Sequence, residues 1–394
     1  MKDDFALAVE KSTASFISKN NLICGSVFEK IADVCSAGKD KVILCFEKGW
    51  HEAGRKIKEI LSPNSKVVSF CLEEEICFEK TLVKLLATVD SQSDFIIIGS
   101  EEITLFVCDY LGIESGKIIY VPLDFQFSQF ISCACYGFEK RALLLDGTIL
   151  SKCAKNRIAD GIRCVFSRKL ILVEMLANEV ISGLTPSFQA KNLIEDAQNN
   201  LQLYLKTHVL NFLVTAILQV SVAQTLSGVG NVTSSAENLL FKSKNLSLKG
   251  EREYLFYKMV LRIYNLYFSN DLSCAIYSPG IVKEIDEIKK IFPYSYEKRI
   301  CLLPTYVQNR NEVEEYKQKI IKKKELLSLV KKLINDFEKE SEILKKEYGG
   351  RAYTVEHYSV KQRAKALSLA PYITKKTTAF NLILASGLTY YFNK

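Results

Sequence analysis

The chain has 394 residues, 48% of them hydrophobic and 25% charged, with a net charge of +8. That length and apolar content suffice for a large core in two domains, and they exclude a disordered or fibrous chain. The positive charge is mild and spread out, with no base-reading motif, so no nucleic-acid partner is expected.

The first part alternates strands and helices. Val42–Phe46, Val67–Phe70, Phe95–Ile98 and Ile118–Val121 are apolar runs of strand length. Helical patterns such as His51–Leu61 and Phe78–Leu86 lie between them. Strands apolar on both faces, alternating with helices, predict a parallel doubly wound sheet. Residues 131–172 suggest a hairpin region and a final strand, with Leu143-Leu-Leu-Asp-Gly147 as the turn signal. From about Val173 the strand signal stops, and helical patterns cover Ala190–Leu205, Val209–Thr225, Arg252–Phe268 and Val313–Tyr348. The expected organisation is an α/β sheet domain over residues 1–170 and an all-helical domain over 171–394. Val209–Ala223 is apolar but carries Asn211, Thr215, Gln219 and Ser221. It is expected to be a buried helix and not a membrane span. In the last pattern Val313, Tyr316, Ile320, Leu327, Val330, Ile334 and Phe337 form one apolar stripe. A packed surface helix or helical hairpin fits that stripe, and so does a partner-binding coiled coil.

Most of the twelve cysteines stand singly in apolar runs, as Cys45, Cys108 and Cys164 do, where a free thiol packs as a small hydrophobe. The expected setting is a reducing cytoplasm without disulfides. The opening Met1-Lys-Asp-Asp4 carries acids where a signal would be basic and then apolar. The three histidines, His51, His208 and His357, do not pair at helical spacing, so no metal site is expected from them.

Thr233-Ser-Ser-Ala-Glu-Asn-Leu-Leu-Phe-Lys-Ser243, followed by Leu248-Lys-Gly-Glu251, resembles a metal-binding region. Its counterpart is in the sn-glycerol-1-phosphate dehydrogenases, a family within the iron-type alcohol dehydrogenase, glycerol dehydrogenase and dehydroquinate synthase superfamily. There the pattern is S-G-x-E-H-x-x-S-H and then H-G-E, and both motif histidines bind the catalytic ion. Here those positions are Asn238 and Lys249, with Glu237 and Glu251 retained beside them. The match runs nearly end to end. Lys48–Leu61 is similar to the first crossover helix. Phe95-Ile-Ile-Ile-Gly-Ser-Glu-Glu102 stands where the family has a strand ending in three glycines. Val121–Ser132 stands at the substrate loop, and Ile181–Gly183 precedes the aspartate-ligand segment. Ala366–Thr377 is similar to the closing helix.

The resemblance implies a dehydroquinate synthase-like fold, with an N-terminal Rossmann-like domain, an all-helical C-terminal domain and a cleft between them. An active relative would bind NAD(P)H and a divalent metal, zinc or nickel, and reduce dihydroxyacetone phosphate to sn-glycerol 1-phosphate for phospholipid metabolism. In this chain each piece of that site departs from the pattern. At the dinucleotide turn only Gly99 remains, followed by Ser100, Glu101 and Glu102. Like charges about 4 Å apart cost roughly 1 kcal/mol in water and about 4 near a protein surface, so carboxylates there oppose a pyrophosphate. A simpler role for both acids is to favour a helix N-terminus. The substrate-loop aspartate aligns with Ser128 and its glycine with Gln129. The aspartate ligand aligns with Pro186 or Ser187, where Thr185-Pro186 suggests an N-cap with proline at the first helical position. With asparagine and lysine at the histidine positions, no metal ligand set remains.

These departures imply a catalytically inert member retained for binding or assembly, without a cofactor. Its vestigial cleft would hold Ser128, Glu237, Asn238 and Lys249, and its vestigial turn Gly99, Ser100 and Glu101. Two alternatives stay open. One is a working NAD(P)-dependent reductase of dihydroxyacetone phosphate with a rewired site. The other is a sensor in which Lys249 holds a phosphorylated small molecule. Family relatives commonly form dimers or larger rings, so the resemblance also implies self-association or pairing with an active paralogue.

Overall fold

A computed structural model of the chain describes residues 2–73, 78–112, 116–134, 140–183, 185–241, 249–269, 281–291, 324–348, 359–373 and 378–379. Two compact units emerge, Met1–Gly161 with Glu195–Thr225, and Ile162–Ile194 with Leu226–Lys394. Residues 195–225, which a boundary at 170 assigns to the helical part, group with the sheet.

The first unit is built on six parallel strands, β1 (Leu22–Cys24), β2 (Lys41–Phe46), β3 (Val67–Leu72), β4 (Asp94–Ile98), β5 (Ile118–Val121) and β6 (Arg141–Leu145). Their order is β1-β6-β5-β4-β2-β3. The helices alternating with them are α1 (Lys2–Thr13), α2 (Val27–Val34), α3 (Glu47–Gly49), α4 (Arg55–Leu61), α5 (Phe78–Leu86), α6 (Glu101–Leu111), α7 (Ser128–Ala134) and α8 (Gly147–Leu150). A π-helical turn, Trp50–Gly54, joins α3 to α4. Ile43, Cys45, Ile96, Ile98, Ile119, Val121, Ala142 and Leu144 face one cluster with Val27 and Ile31 of α2 and Ile57 and Leu61 of α4. The alternate residues Val42, Leu44, Phe95, Ile97, Ile118, Tyr120 and Leu143 are buried as well. Both faces of the inner strands are therefore covered, which is why β2, β4, β5 and β6 are apolar after their first residues and not at every second one.

The four expected strands form, and β1 and β6 join them. The hairpin expected within 131–172 does not. Arg141–Leu145 pairs in parallel with β1 and β5, and Asp146-Gly147 starts a helix instead of a turn between strands. Oδ1 of Asp146 accepts from the Thr148 and Ile149 amides at 2.7 and 3.3 Å, and Oδ2 accepts from the Val27 amide at 3.0 Å. An aspartate before glycine signals a tight turn and an N-cap equally well.

From Lys155 onward every described element is helical: α9 (Lys155–Ser167), α10 (Leu170–Ser182), α11 (Phe188–Thr207), α12 (Leu210–Leu226), α13 (Val232–Phe241), α14 (Lys249–Ser269), α15 (Ile281–Ile291), α16 (Lys324–Tyr348) and α17 (Val360–Ile373). Leu213 through Ala223 of α12 are all buried. Among them Thr215 meets Ser12 Oγ at 2.9 Å, and Gln219 accepts from Asn200 at 2.9 Å. That satisfies polar groups inside an apolar helix. Among the described residues no helix is long and apolar enough to cross a membrane.

In the second unit α14 packs on α13 and α16, and α13 on α17. The buried stripe of α16 is Leu326, Val330, Leu333, Phe337, Glu340 and Leu344. Val330 and Phe337 belong to the expected stripe, while Leu327 and Ile334 flank the buried line and are half-buried. Val313, Tyr316 and Ile320 lie outside the described residues. Glu340 is tolerated in the stripe because Lys169 Nζ pairs with its carboxylate. Phe337 stacks on Tyr254 with centroids 4.6 Å apart. Arg168 and Glu253 form a second ion pair at 3.3 Å, each side chain 2% exposed.

Two buried carboxylates give tests of this packing. Asp94, the first residue of β4, accepts from Lys41 Nζ at 3.1 Å, Ser36 Oγ at 3.0 Å and the Lys117 amide at 3.2 Å. Lys41 and Asp94 side chains are 2% and 0% exposed. Asp94→Ala leaves that ammonium buried and unpaired, so chemical denaturation should show a loss of about 3–5 kcal/mol. Glu174 on α10 is fully buried and accepts from the Tyr264 hydroxyl and, at 2.7 Å, from the Ala379 amide. Burial pushes its carboxyl up to about 7, against the lowering effect of those two donors. A raised folded value means stability that is complete below the ordinary carboxylate value and lost as pH climbs to about 7. Denaturation at pH values bracketing this window should show that decline, on the order of 3 kcal/mol, and Glu174→Gln should flatten it.

Candidate functional site

In an open parallel sheet ligands bind beyond the carboxyl ends of the strands, where the strand order reverses. The order here reverses between β2 and β4, since β3 lies outside β2 on one side and β5, β6 and β1 continue on the other. The segments meeting at that edge follow β2 (Glu47–Gly49), β4 (Gly99–Glu102) and β5 (Pro122–Asp124).

The backbone there leaves little room. A Cβ on Gly49 would stand 3.0 Å from the Ile98 carbonyl oxygen and 3.1 Å from Cys45 Cβ. Gly99 has φ +78°, and a Cβ there would come within 2.8 Å of Leu123 Cδ1. The glycine retained at position 99 is thus required by a left-handed turn and by close packing on the next loop.

The residues after Gly99 are engaged with the protein itself. Ser100 is the N-cap of α6, its Oγ accepting from the Ile103 amide at 3.2 Å. The same hydroxyl donates to Glu102 Oε2 at 3.4 Å. Glu101, 1% exposed, does not face solvent. Its Oε1 accepts from the Gln129 and Phe130 amides at 2.6 and 2.9 Å. Glu101 therefore caps α7, a different helix from the one it begins, and favours that helix's positive end. Ser128 is the first residue of α7 and is buried. The structure thus brings Gly99, Ser100, Glu101 and Ser128 into one locality.

Residues not singled out by sequence complete the edge. Asp124, with 13% of its side chain exposed, pairs with Arg157 at 3.0 Å and accepts from the Gln126 amide at 2.9 Å. Asp160 accepts from Gln126 Nε2 at 2.9 Å. Burial pushes the Asp124 carboxyl up to about 6; Arg157 and the Gln126 amide oppose the rise, and Asp160 and Glu102 add to it. Cys153 donates to the Leu123 carbonyl at 3.1 Å, and burial, then Asp124, pushes its thiol up to about 12. Asp124 follows a strand, which was the available signal. Arg157 lies 33 residues away, so only the fold could pair them.

The remaining expected positions lie in the second unit. Glu237 and Asn238 fall in α13, and Lys249 opens α14; their side chains lie outside the described residues. The N-cap before α11 is Ser187, two residues later than the expected Thr185. Ser187 Oγ accepts from the Ala190 amide at 3.2 Å, so Pro186 precedes the cap. A hydroxyl so engaged and a proline do not supply the carboxylate a catalytic metal would take there. Among the described residues no three His, Cys, Asp or Glu side chains converge as a metal site requires. At the first unit's turn Ser100 takes one of the amides that open α6, that of Ile103, and Glu102 lies against the same hydroxyl.

No protein-family model matches the chain, and no curated protein is similar to it in sequence. Solved structures are similar in fold. Glycerol dehydrogenase from Schizosaccharomyces pombe matches at 14% identity with a TM-score of 0.50, over 83% of this chain and 92% of that one. Sulfoacetaldehyde reductase from Bifidobacterium kashiwanohense, in complex with NAD+, matches at 11% identity and 0.54, over 96% and 97%. A 1,3-propanediol oxidoreductase matches at 12% identity and 0.53, over 95% and 98%. The chain has the dehydroquinate synthase-like fold of the iron-type alcohol dehydrogenases. At these identities the likeness is one of fold.

Truncating Glu101 tests the edge directly. Glu101→Ala strands two amides at the start of α7 and should lower stability by about 1–3 kcal/mol. Glu101→Gln keeps one oxygen to accept from both amides and should lose less. Equal losses in denaturant titrations would show that the charge, and not the acceptor, holds α7.

Proposed function

We propose that this chain is a catalytically inert relative of sn-glycerol-1-phosphate dehydrogenase, retained for binding or assembly. One observation carries the reading: at the helix end that would face a dinucleotide pyrophosphate, the protein's own side chains take an amide and place a carboxylate. Ser100 Oγ takes the Ile103 amide, Glu102 lies against that hydroxyl, and Glu101 is committed to α7. An incoming pyrophosphate would have to displace a carboxylate from a spot it also repels. Asp124 adds a further carboxylate at the same edge, offset by Arg157. Asparagine and lysine at the two histidine positions, 238 and 249, support loss of the metal by the chemistry of the donors alone. Self-association, or pairing with an active paralogue, is the use this reading favours.

Titration of the purified chain with NADPH and NADH, followed by ligand fluorescence in zinc and then nickel, tests it. No binding up to millimolar concentration is expected. Micromolar binding would overturn the reading, and metal-dependent oxidation of NADPH by dihydroxyacetone phosphate would establish a rewired enzyme in its place.

A further inference from the structure

Cys45 and Cys71 are 26 residues apart in sequence and directly opposite in the sheet, in register between β2 and β3. Strands in a sheet lie about 4.8 Å apart. Paired residues also send their side chains to the same face. That separation falls within the roughly 4.4–6.8 Å between Cα atoms that a disulfide spans. The two thiols interact directly with one another. No other two cysteines of the described strands are paired in register.

The pair is asymmetric. Cys71 lies on the edge strand and is exposed, whereas Cys45 is fully buried. Of the two, a bulky reagent in solution reaches Cys71. Burial, then the charge of Glu47, raises the Cys71 thiol, and the Cys45 thiol opposes that rise. Burial pushes the Cys45 thiol up to about 12. Exposure therefore sets the order of reaction, and the raised thiols make it slow.

We propose that Cys71 and Cys45 form a reversible redox site, in which a small-molecule disulfide such as oxidised glutathione is reduced as the protein pair is oxidised. Cys71 gives its proton to water, and its thiolate attacks one sulfur of the small disulfide. That S–S bond breaks, the first small thiolate leaves and takes up a proton, and a mixed disulfide stands on Cys71. Cys45 then attacks Cys71 Sγ and expels the second small thiolate, which takes up the proton that Cys45 gives up. Two protein thiols are oxidised by two electrons, and one disulfide becomes two thiols. The bond fastens the edge strand to β2 where Gly49 packs against Cys45 Cβ, beside the turn into Trp50–Gly54. This site is independent of whether the neighbouring edge binds a cofactor. An inducible bond of this kind also suits a reducing compartment, where lasting disulfides are rare.

The test incubates the reduced full-length chain with oxidised glutathione, blocks remaining thiols by alkylation, and maps peptides without reduction. A Cys45–Cys71 linked peptide is expected, released by a reducing agent, with glutathionylated Cys71 as a transient precursor. In Cys45→Ser the glutathione adduct should persist on Cys71, and in Cys71→Ser no adduct should form on Cys45. A stable adduct on wild-type Cys71 without the linked peptide would overturn the proposal. So would direct labelling of Cys45 in a Cys71→Ser chain that melts like wild type. The wild-type peptide map decides the matter even if a variant fails to fold.

Discussion

A parallel sheet buried on both faces leaves only its two strand-end edges available for polar groups, and the first unit is organised by that constraint. Covering both faces demands apolar side chains along the inner strands, as in Phe95-Ile-Ile-Ile98. Charges are pushed to the ends. At the amino edge Lys41 and Asp94 begin adjacent strands and neutralise one another. At the carboxyl edge a carboxylate meets the start of a helix, Glu101 against α7 and Asp146 against α8. Each charge is compensated where it lies, which is what lets it persist out of water.

The same economy decides what the carboxyl edge can accept. A phosphate-binding turn works because its amides are unspent and its surroundings carry no competing anion. Here Ser100 takes the Ile103 amide of α6, Glu101 takes the Gln129 and Phe130 amides of α7, and Glu102, Asp124 and Asp160 stand close by. Arg157 offsets one of these acids. The fold of the solved dehydrogenases is thus kept, with the polar groups at the strand ends turned inward. Fold and site have separate physical requirements.

The helical unit follows the logic of a bundle with ionic inserts. Its α16 stripe repeats every three or four residues, and the repeat admits Glu340 because Lys169 is within reach. Arg168 with Glu253, and Glu174 with Tyr264, place further polar contacts among aromatic residues. These contacts make the unit sensitive to pH and to truncation of single partners, more than its apolar composition suggests.

Local pattern alone determined the four strands β2 to β5, the parallel sheet, the buried α12 and the helical second half, because burial on one or both faces imposes its period directly on the residues. Tertiary structure decided the rest. β1 is too short to show a period, and β6 with Asp146-Gly147 resembled a hairpin until its neighbours proved parallel. Whether Glu101 faced solvent, its own helix or another was settled by the position of α7, which arrives from 27 residues further on. Asp124 with Arg157, and Cys45 with Cys71, likewise became pairs only when the chain folded. Their contacts depend on strand order and register, which no stretch of sequence encodes by itself.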